Sequence, residues 1–354
     1  VTHQFTRRRF LALSSLSAVA VAVPALTARA ATQQQPAAPV ATRETYANAV
    51  AVVQKAVCSL GVYDFVSGKS LAQIPLPEQS HELVMTPDRR YAFVAQYGAK
   101  KWAAPGVGGN LITMVDMQKL KVVKTLDLTP WHRLHGIRMD KHGRLFVLSE
   151  SSSVLIRFDN PVDKDEPDAA IPVNGVRSHY FVLNDEGSRA WITDTLSGLV
   201  IAVNTEDPSV PVQKLLAGKA PEGSCLSPDE KTVYVVDRYG DAIKAYDSET
   251  LKTRYSAKTQ GESVRAAALQ DGKILLANAA RKSLLLFSPD LTFQKEIFLP
   301  ASPTAITLTQ NAGQVLTSTE DDKLTLVDIA SSQLLRTIST DKGADASVLF
   351  HYQG

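Results

Sequence analysis

From residue 46 onward the chain is written in apolar runs of about five residues, each closed by a turn-forming cluster. The segment 221–252 (PEGSCLSPDEKTVYVVDRYGDAIKAYDSETLK) shows the pattern most clearly. An apolar run there ends at the turn Ser227-Pro228-Asp229. Val233, Tyr234, Val235 and Val236 follow, the β-branched and aromatic residues that suit a pleated surface. A turn containing Gly240 leads into 242–246, which Asp247 closes, and residues 248–250 turn the chain toward a fourth strand. Four antiparallel strands in about forty residues cannot bury both faces alone, so such a unit needs copies of itself alongside. No long helix is expected anywhere.

The copies are present. In chain order, Phe93, Phe146, Trp191, Tyr234, Leu275 and Leu316 occupy one position of the repeat, at spacings of 53, 45, 43, 41 and 41 residues. The acid that closes the third strand recurs as Asp64, Asp116, Asp159, Asp247 and Asp328, with Asn204 and Ser288 in the other two copies. A period of about 40–45 residues with four strands per unit marks a β-propeller. The words SPDEKTVYVVD and IKAYDSET, with weaker copies TPDRRYAFVAQY and DKHGRLFVLSE, resemble the YVTN-type repeat of YncE-like propellers. The resemblance covers nearly all of the chain after Tyr46. For function it implies a binding or interaction module without catalysis.

Six complete units start near Ser80, Leu134, Ser178, Pro221, Ser263 and Pro303. Three further strands fall around 50–53, 59–65 and 70–76, and one more at 346–352. A closed ring leaves no unpaired edge, so the last strand is expected to lie innermost in the first blade. The expected fold is therefore all-β: a seven-bladed β-propeller of four-stranded antiparallel blades over residues 46–354, closed by the C-terminal strand joining the N-terminal blade.

Ahead of this domain, Thr6-Arg7-Arg8-Arg9-Phe10-Leu11 precedes an apolar stretch over 12–26 and then Ala28-Arg29-Ala30. Paired arginines, a modest apolar region and small residues at a cleavage site make a twin-arginine signal peptide over 1–30. The apolar stretch falls short of the roughly 20 residues that span a bilayer, so no stable membrane anchor is expected. The expected location is the periplasm, with the twin-arginine translocon as partner during export. Residues 31–45, rich in Gln, Pro and Ala without apolar periodicity, read as a disordered linker.

Charge and cysteine content narrow the function further. The formal net charge is +2, from 38 basic and 36 acidic residues, but four arginines lie within 1–30 and no acid does. The remaining domain is nearly neutral and offers no electrostatic footprint for nucleic acid. The two cysteines, Cys58 and Cys225, fall in non-adjacent blades and are not expected to pair. No G-x-S-x-G, CxxCH, H-E-x-x-H or P-loop occurs, so serine-hydrolase, covalent-haem, zincin and nucleotide chemistries have no motif. The acidic stretch 159–168 lacks the ligand spacing of a calcium loop and reads as a solvated connection.

Chemistry is expected where innermost strands begin, because those positions line the mouth of the central channel. In register they are His81, His135, His179, Glu222, Val264 and Thr304; the next position reads Glu82, Gly136, Tyr180, Gly223, Arg265 and Ala305. Three histidines and a glutamate from four consecutive blades could hold a divalent metal ion such as zinc. They could also supply an acid–base pair, or simply line a wet channel. A one-residue slip of register would turn any of them away. The 96–110 loop, longer than its counterparts, carries Lys100, Lys101 and Trp102, and the next inter-blade loop carries Trp131, His132 and Arg133. With Arg238, Tyr239 and Arg281 they form an expected basic, aromatic rim suited to an anionic or aromatic small ligand. The candidate ligand-binding set is thus His81, Glu82, His135, His179, Glu222, Arg265, Trp102, Arg133 and Arg238, with His81, His135, His179 and Glu222 as candidate metal ligands.

One blade adds a second resemblance. HGIRMDKHGRLFVLSE is similar to the HGI..GPDG.LWFTE repeat of streptogramin B lyases, which implies a metal-dependent opening of a lactone by elimination. Three function classes follow: an exported binding module taking a small-molecule or protein ligand at the channel mouth, a metal-dependent lyase or lactonase, and a non-catalytic subunit of a periplasmic redox enzyme.

Overall fold

Among the described residues, 47–99 and 103–354 of the computed structural model, twenty-eight strands form seven four-stranded antiparallel sheets. They belong to one unit, Thr45–Gly354. The expected signal peptide over 1–30, the whole of the expected linker over 31–45, and Lys100, Lys101 and Trp102 lie outside the described residues. The innermost strands of blades 2 to 7 are Ser80–Met85, Leu134–Met139, Ser178–Leu183, Pro221–Leu226, Ser263–Ala268 and Pro303–Leu308. All six begin at the residue expected from the repeat. Blade 1 is composite: Ala344–Phe350 lies inside Ala49–Gln54, with Ala49 opposite Phe350 and Val52 opposite Ser347. Adjacent innermost strands touch all the way round, so the ring is closed.

The alternation and the anchors explain why the blades stack. In blade 5 the second strand, Thr232–Asp237, is buried along its whole length, while the outermost, Thr253–Lys258, is almost wholly exposed. The core therefore lies between blades rather than within one. Tyr234 and Val236 of blade 5 pack with Ile274, Leu276 and Phe287 of blade 6. The polar ends of the anchors are satisfied across the same seams: the Tyr234 hydroxyl donates to the Pro289 carbonyl at 2.8 Å, and the Trp191 indole to the Ser248 carbonyl at 2.9 Å. In four of its five copies, Asp64, Asp116, Asp247 and Asp328, the recurring acid closes its turn locally. Asp247 accepts from the Thr250 amide and hydroxyl, both at 2.8 Å, and Asp64 does the same with Ser67.

Two details matter for the channel. The last strand starts at Ala344, two residues before its expected start, and this carries Asp345 into the ring. In all seven blades the pairing of the first and second strands shifts register beside the second residue of the innermost strand, as between Ser178 and Tyr180 or between Ser263 and Arg265. A bulge of this kind re-aims side chains and lets two consecutive residues leave the regular in–out alternation. Both cysteines are free.

Candidate functional site

Those bulges build a ring from one residue per blade. In blade order its members are Asp345, His81, His135, His179, Glu222, Val264 and Thr304, and all seven line one cavity of about 670 Å³. A second ring comes from the residue just after each second strand: Lys55, Tyr97, Glu150, Thr195, Arg238, Ala279 and Glu320. Five of these also line the cavity, while Glu150 and Thr195 stand behind it. Third residues of the innermost strands make a layer of their own. Arg265 of blade 6 reaches Glu82 of blade 2 at 3.1 Å; those blades are not neighbours, so the pair bridges the channel. Arg138 reaches Glu82 at 3.5 Å, and the Tyr180 ring lies against both guanidiniums, at 4.5 Å from Arg138 and 5.0 Å from Arg265. Gly223 keeps this layer tight: a Cβ there would stand 2.6 Å from the Arg265 Cα.

The sequence-derived cluster is brought together, and its members differ in what they are free to do. The rings of His81, His135 and His179 form a row, with centroids 5.3 and 4.0 Å apart. His81 is committed on both nitrogens: Nε2 donates to the Ala99 carbonyl at 2.9 Å and Nδ1 faces the Asp345 carboxylate at 3.2 Å. His179 donates Nδ1–H to Glu150 at 2.7 Å, leaving Nε2 4.0 Å from Glu222. Glu150 has no exposed side-chain surface; it also accepts from the Tyr97 hydroxyl at 2.9 Å and from Arg177 Nε at 3.0 Å. These donors converge on the Glu150 carboxylate, and its contact with His179 orients the ring with an Nδ1–H toward Glu150. His135, between the other two, has its Nδ1 enclosed without a hydrogen-bond partner. Burial pushes its imidazole well below the ordinary range, and the positive character of His179, His81, Arg265 and Arg138 adds to this, so it is neutral at pH 7.

The carboxylates are held ionised by their neighbours. Asp345 is depressed although burial opposes ionisation, because Lys55 at 2.9 Å and His81 more than offset that cost. Glu222 is likewise lowered against its burial by His179, Arg238 and Arg265, with Arg238 Nη1 at 2.8 Å and Arg265 Nη1 at 3.3 Å. Arg265 is raised against its own burial by Glu82, Tyr180 and Glu222.

Several expectations change on this geometry. Among the described residues no group of three or more His, Cys, Asp or Glu side chains is placed to hold a metal ion. In the expected set His81 has both nitrogens engaged, by the Ala99 carbonyl and by Asp345, so His81, His135, His179 and Glu222 are not all four placed as free ligands of one centre. Glu82 lies in the bridging layer and does not line the cavity. Arg133 is 2 % exposed and braces the long loop instead of forming a rim; it bonds the carbonyls of Ala104 and Gly106 and, at 3.0 Å, the Tyr97 hydroxyl. Arg238 does line the cavity, but it is paired with Glu222 and Glu262, and Arg281 is paired with Glu296 at 2.7 Å. Among the described residues, Lys55, Arg238 and Arg265 of the lining are each paired with a carboxylate, and the exposed Glu320 adds a negative charge to it.

Sequence reasoning missed Asp345, Lys55, Tyr97 and Glu150. Asp345 has no downstream anchor to count back from, because its blade is completed at the other end of the chain. The second ring does have a signal: its members follow the first ring by 15 or 16 residues in blades 2 to 7.

No known protein family and no curated protein matches the chain. Solved structures do. A functionally unknown protein from Desulfotomaculum acetoxidans DSM 771 matches at 11 % identity and a TM-score of 0.71, over 86 % of this chain and all of the other. The periplasmic gluconolactonase of Pseudomonas aeruginosa matches at 15 % identity and 0.67, over 85 % and 98 %. Virginiamycin B lyase from Staphylococcus aureus matches at 14 % identity and 0.64, over 78 % and 89 %. At these identities the likeness is one of fold.

Proposed function

We propose that the protein is an exported β-propeller binding module whose channel mouth takes a small, polar, uncharged ligand. The observation that carries this is the cavity of about 670 Å³ in which the acids and bases of the ring satisfy one another while His135 keeps a neutral, unpaired imidazole. An ionic ligand would have to break an existing pair, whereas a neutral one needs only hydrogen bonds. Arg7 and Arg8 support export by the twin-arginine pathway to the periplasm, and one structural neighbour is named a periplasmic gluconolactonase of Pseudomonas aeruginosa.

A thermal-shift screen of sugars, lactones and other neutral polar metabolites tests the reading. A ligand at a hundred times its Kd should stabilise the fold by about 2.7 kcal/mol, and His135→Ala, binding about tenfold more weakly, should cut that gain to about 1.4 kcal/mol. Equal shifts in the wild type and the variant would refute the assignment. The metal-dependent lyase or lactonase alternative requires His81 to release the Ala99 carbonyl and Asp345. Stoichiometric zinc or magnesium in the purified protein, lost in His135→Ala, would favour it instead.

A further inference from the structure

Resting on that binding site, we infer that Glu150, His179 and His135 form a metal-independent general-base site that hydrolyses uncharged esters, compact lactones among them. In the uncharged ring Glu150 holds Nδ1–H of His179 at 2.7 Å and the free Nε2 is an acceptor, 4.0 Å from Glu222 in the cavity lining; the charge felt by Glu222 and His135 arises only when Nε2 takes up a proton. A carboxylate that fixes the tautomer of an imidazole and supports its transient charge is the arrangement a general base requires. His135 supplies the complementary group. Its Nδ1 is buried with no partner, and a buried unpaired N–H is the rarer and costlier orphan, so the ring proton belongs on Nε2. The two ring centroids lie 4.0 Å apart, so a ring with an acceptor and a ring with a neutral donor are neighbours at the cavity. Because burial keeps His135 uncharged, the donor does not compete with His179 as a base.

The substrate class follows from the same charges. The cations of the lining are paired and Glu320 is negative, which disfavours a substrate that is already an acid. An ester carbonyl is uncharged, accepts from the Nε2–H of His135, and leaves His179 to a water molecule. His179 Nε2 takes a proton from that water as its oxygen bonds to the acyl carbon. The oxygen of the former carbonyl carries the negative charge, stabilised by His135. Collapse of this adduct breaks the acyl C–O bond, and the departing alkoxide takes the proton back from His179. One water is consumed, one hydroxy acid forms from a lactone, and nothing is oxidised or reduced. Glu150 touches neither water nor ester and is a positioning residue; His179 and His135 are the catalytic ones.

The test is pH-stat hydrolysis of glucono-1,5-lactone, δ-valerolactone, γ-butyrolactone and 4-nitrophenyl acetate by the whole purified protein, with and without EDTA. Turnover above the spontaneous rate, insensitive to EDTA, is expected for at least one of them. His179→Gln should lose about 10²–10⁴-fold in kcat. Glu150→Gln should lower kcat with KM unchanged, a split that a merely structural role would not produce. If Glu150→Gln does not fold, His179→Gln and His135→Gln decide the matter. Turnover of none of the four probes, full activity in His179→Gln, or loss of activity in EDTA each overturns the inference. A thermal shift by these lactones without turnover would do so while leaving the binding site standing.

Discussion

Replacing Arg265 with Met tests whether the channel is truly bridged by paired charge. Arg265 is 8 % exposed and reaches Glu82 at 3.1 Å and Glu222 at 3.3 Å, with its guanidinium against the Tyr180 ring. Removing one partner of a buried ion pair costs about 3–5 kcal/mol, because the other charge is left uncompensated. Here each acid keeps a second cation, Arg138 at 3.5 Å for Glu82 and Arg238 at 2.8 Å for Glu222, which sets the expectation at the lower end. A loss of about 3 kcal/mol should lower Tm by about 5 °C, at roughly 2.1 cal/mol/K of unfolding entropy per residue over residues 46–354. Replacing both ends, Glu82→Met with Arg265→Met, removes the buried charges together. Arg138, with a quarter of its side chain exposed, can then turn to water, and most of the loss should be recovered. Urea unfolding of the wild type, the two single variants and the double variant supplies the cycle. A single variant within about 0.5 kcal/mol of wild type, the scatter of an ordinary surface substitution, would refute the bridge. So would a double variant that loses the sum of the two singles.

Further outcomes follow from the same structure. Because burial depresses His135, the unfolded chain takes up a proton below about pH 6.5 that the folded one refuses. Stability should therefore fall as pH drops from 7 toward 5, and fall less in His135→Gln; parallel melting profiles would contradict this. Asp345 and Glu222 are depressed too, so the stability they contribute is complete above about pH 4.5 and is lost on further acidification. Asp345→Asn should flatten the acid limb, read by circular dichroism. Ending the chain at Gly343 strips the inner strand from Ala49–Gln54 and leaves an open edge. That protein should aggregate or unfold without cooperativity, and a soluble, cooperative truncation would argue against closure. Replacing Arg7 and Arg8 by Lys should hold the protein in the cytoplasm; unchanged accumulation in the periplasm, followed by cell fractionation, would refute the twin-arginine assignment.

The blades were legible because the anchor and the turn acid each have a local physical reason to recur. Tyr234 and Trp191 cross a seam, and Asp247 and Asp64 close a turn, once in every unit that uses them. Six of the seven residues of the first ring were legible for the same reason, since each sits 11 or 12 residues ahead of an anchor. Ionisation and pairing were not. Whether Arg265 meets an anion or Glu82 depends on reaching across the channel to a residue 183 positions away, which no repeat period encodes. Glu150 was visible as the last letter of DKHGRLFVLSE, yet its role depends on His179 in the next blade and Tyr97 in the previous one. Asp345 belonged to the register but was cut off by the ring closure itself.

Calorimetric titration of the best neutral ligand reads the small-molecule site organised on His135. His135→Ala should weaken binding by about tenfold, the loss of roughly 1.4 kcal/mol that one hydrogen bond supplies. His142→Ala should leave it unchanged, since that histidine is about half exposed and pairs with Glu186 away from the cavity lining. Equal affinity in the wild type and His135→Ala, or equal loss in both variants, would contradict the account.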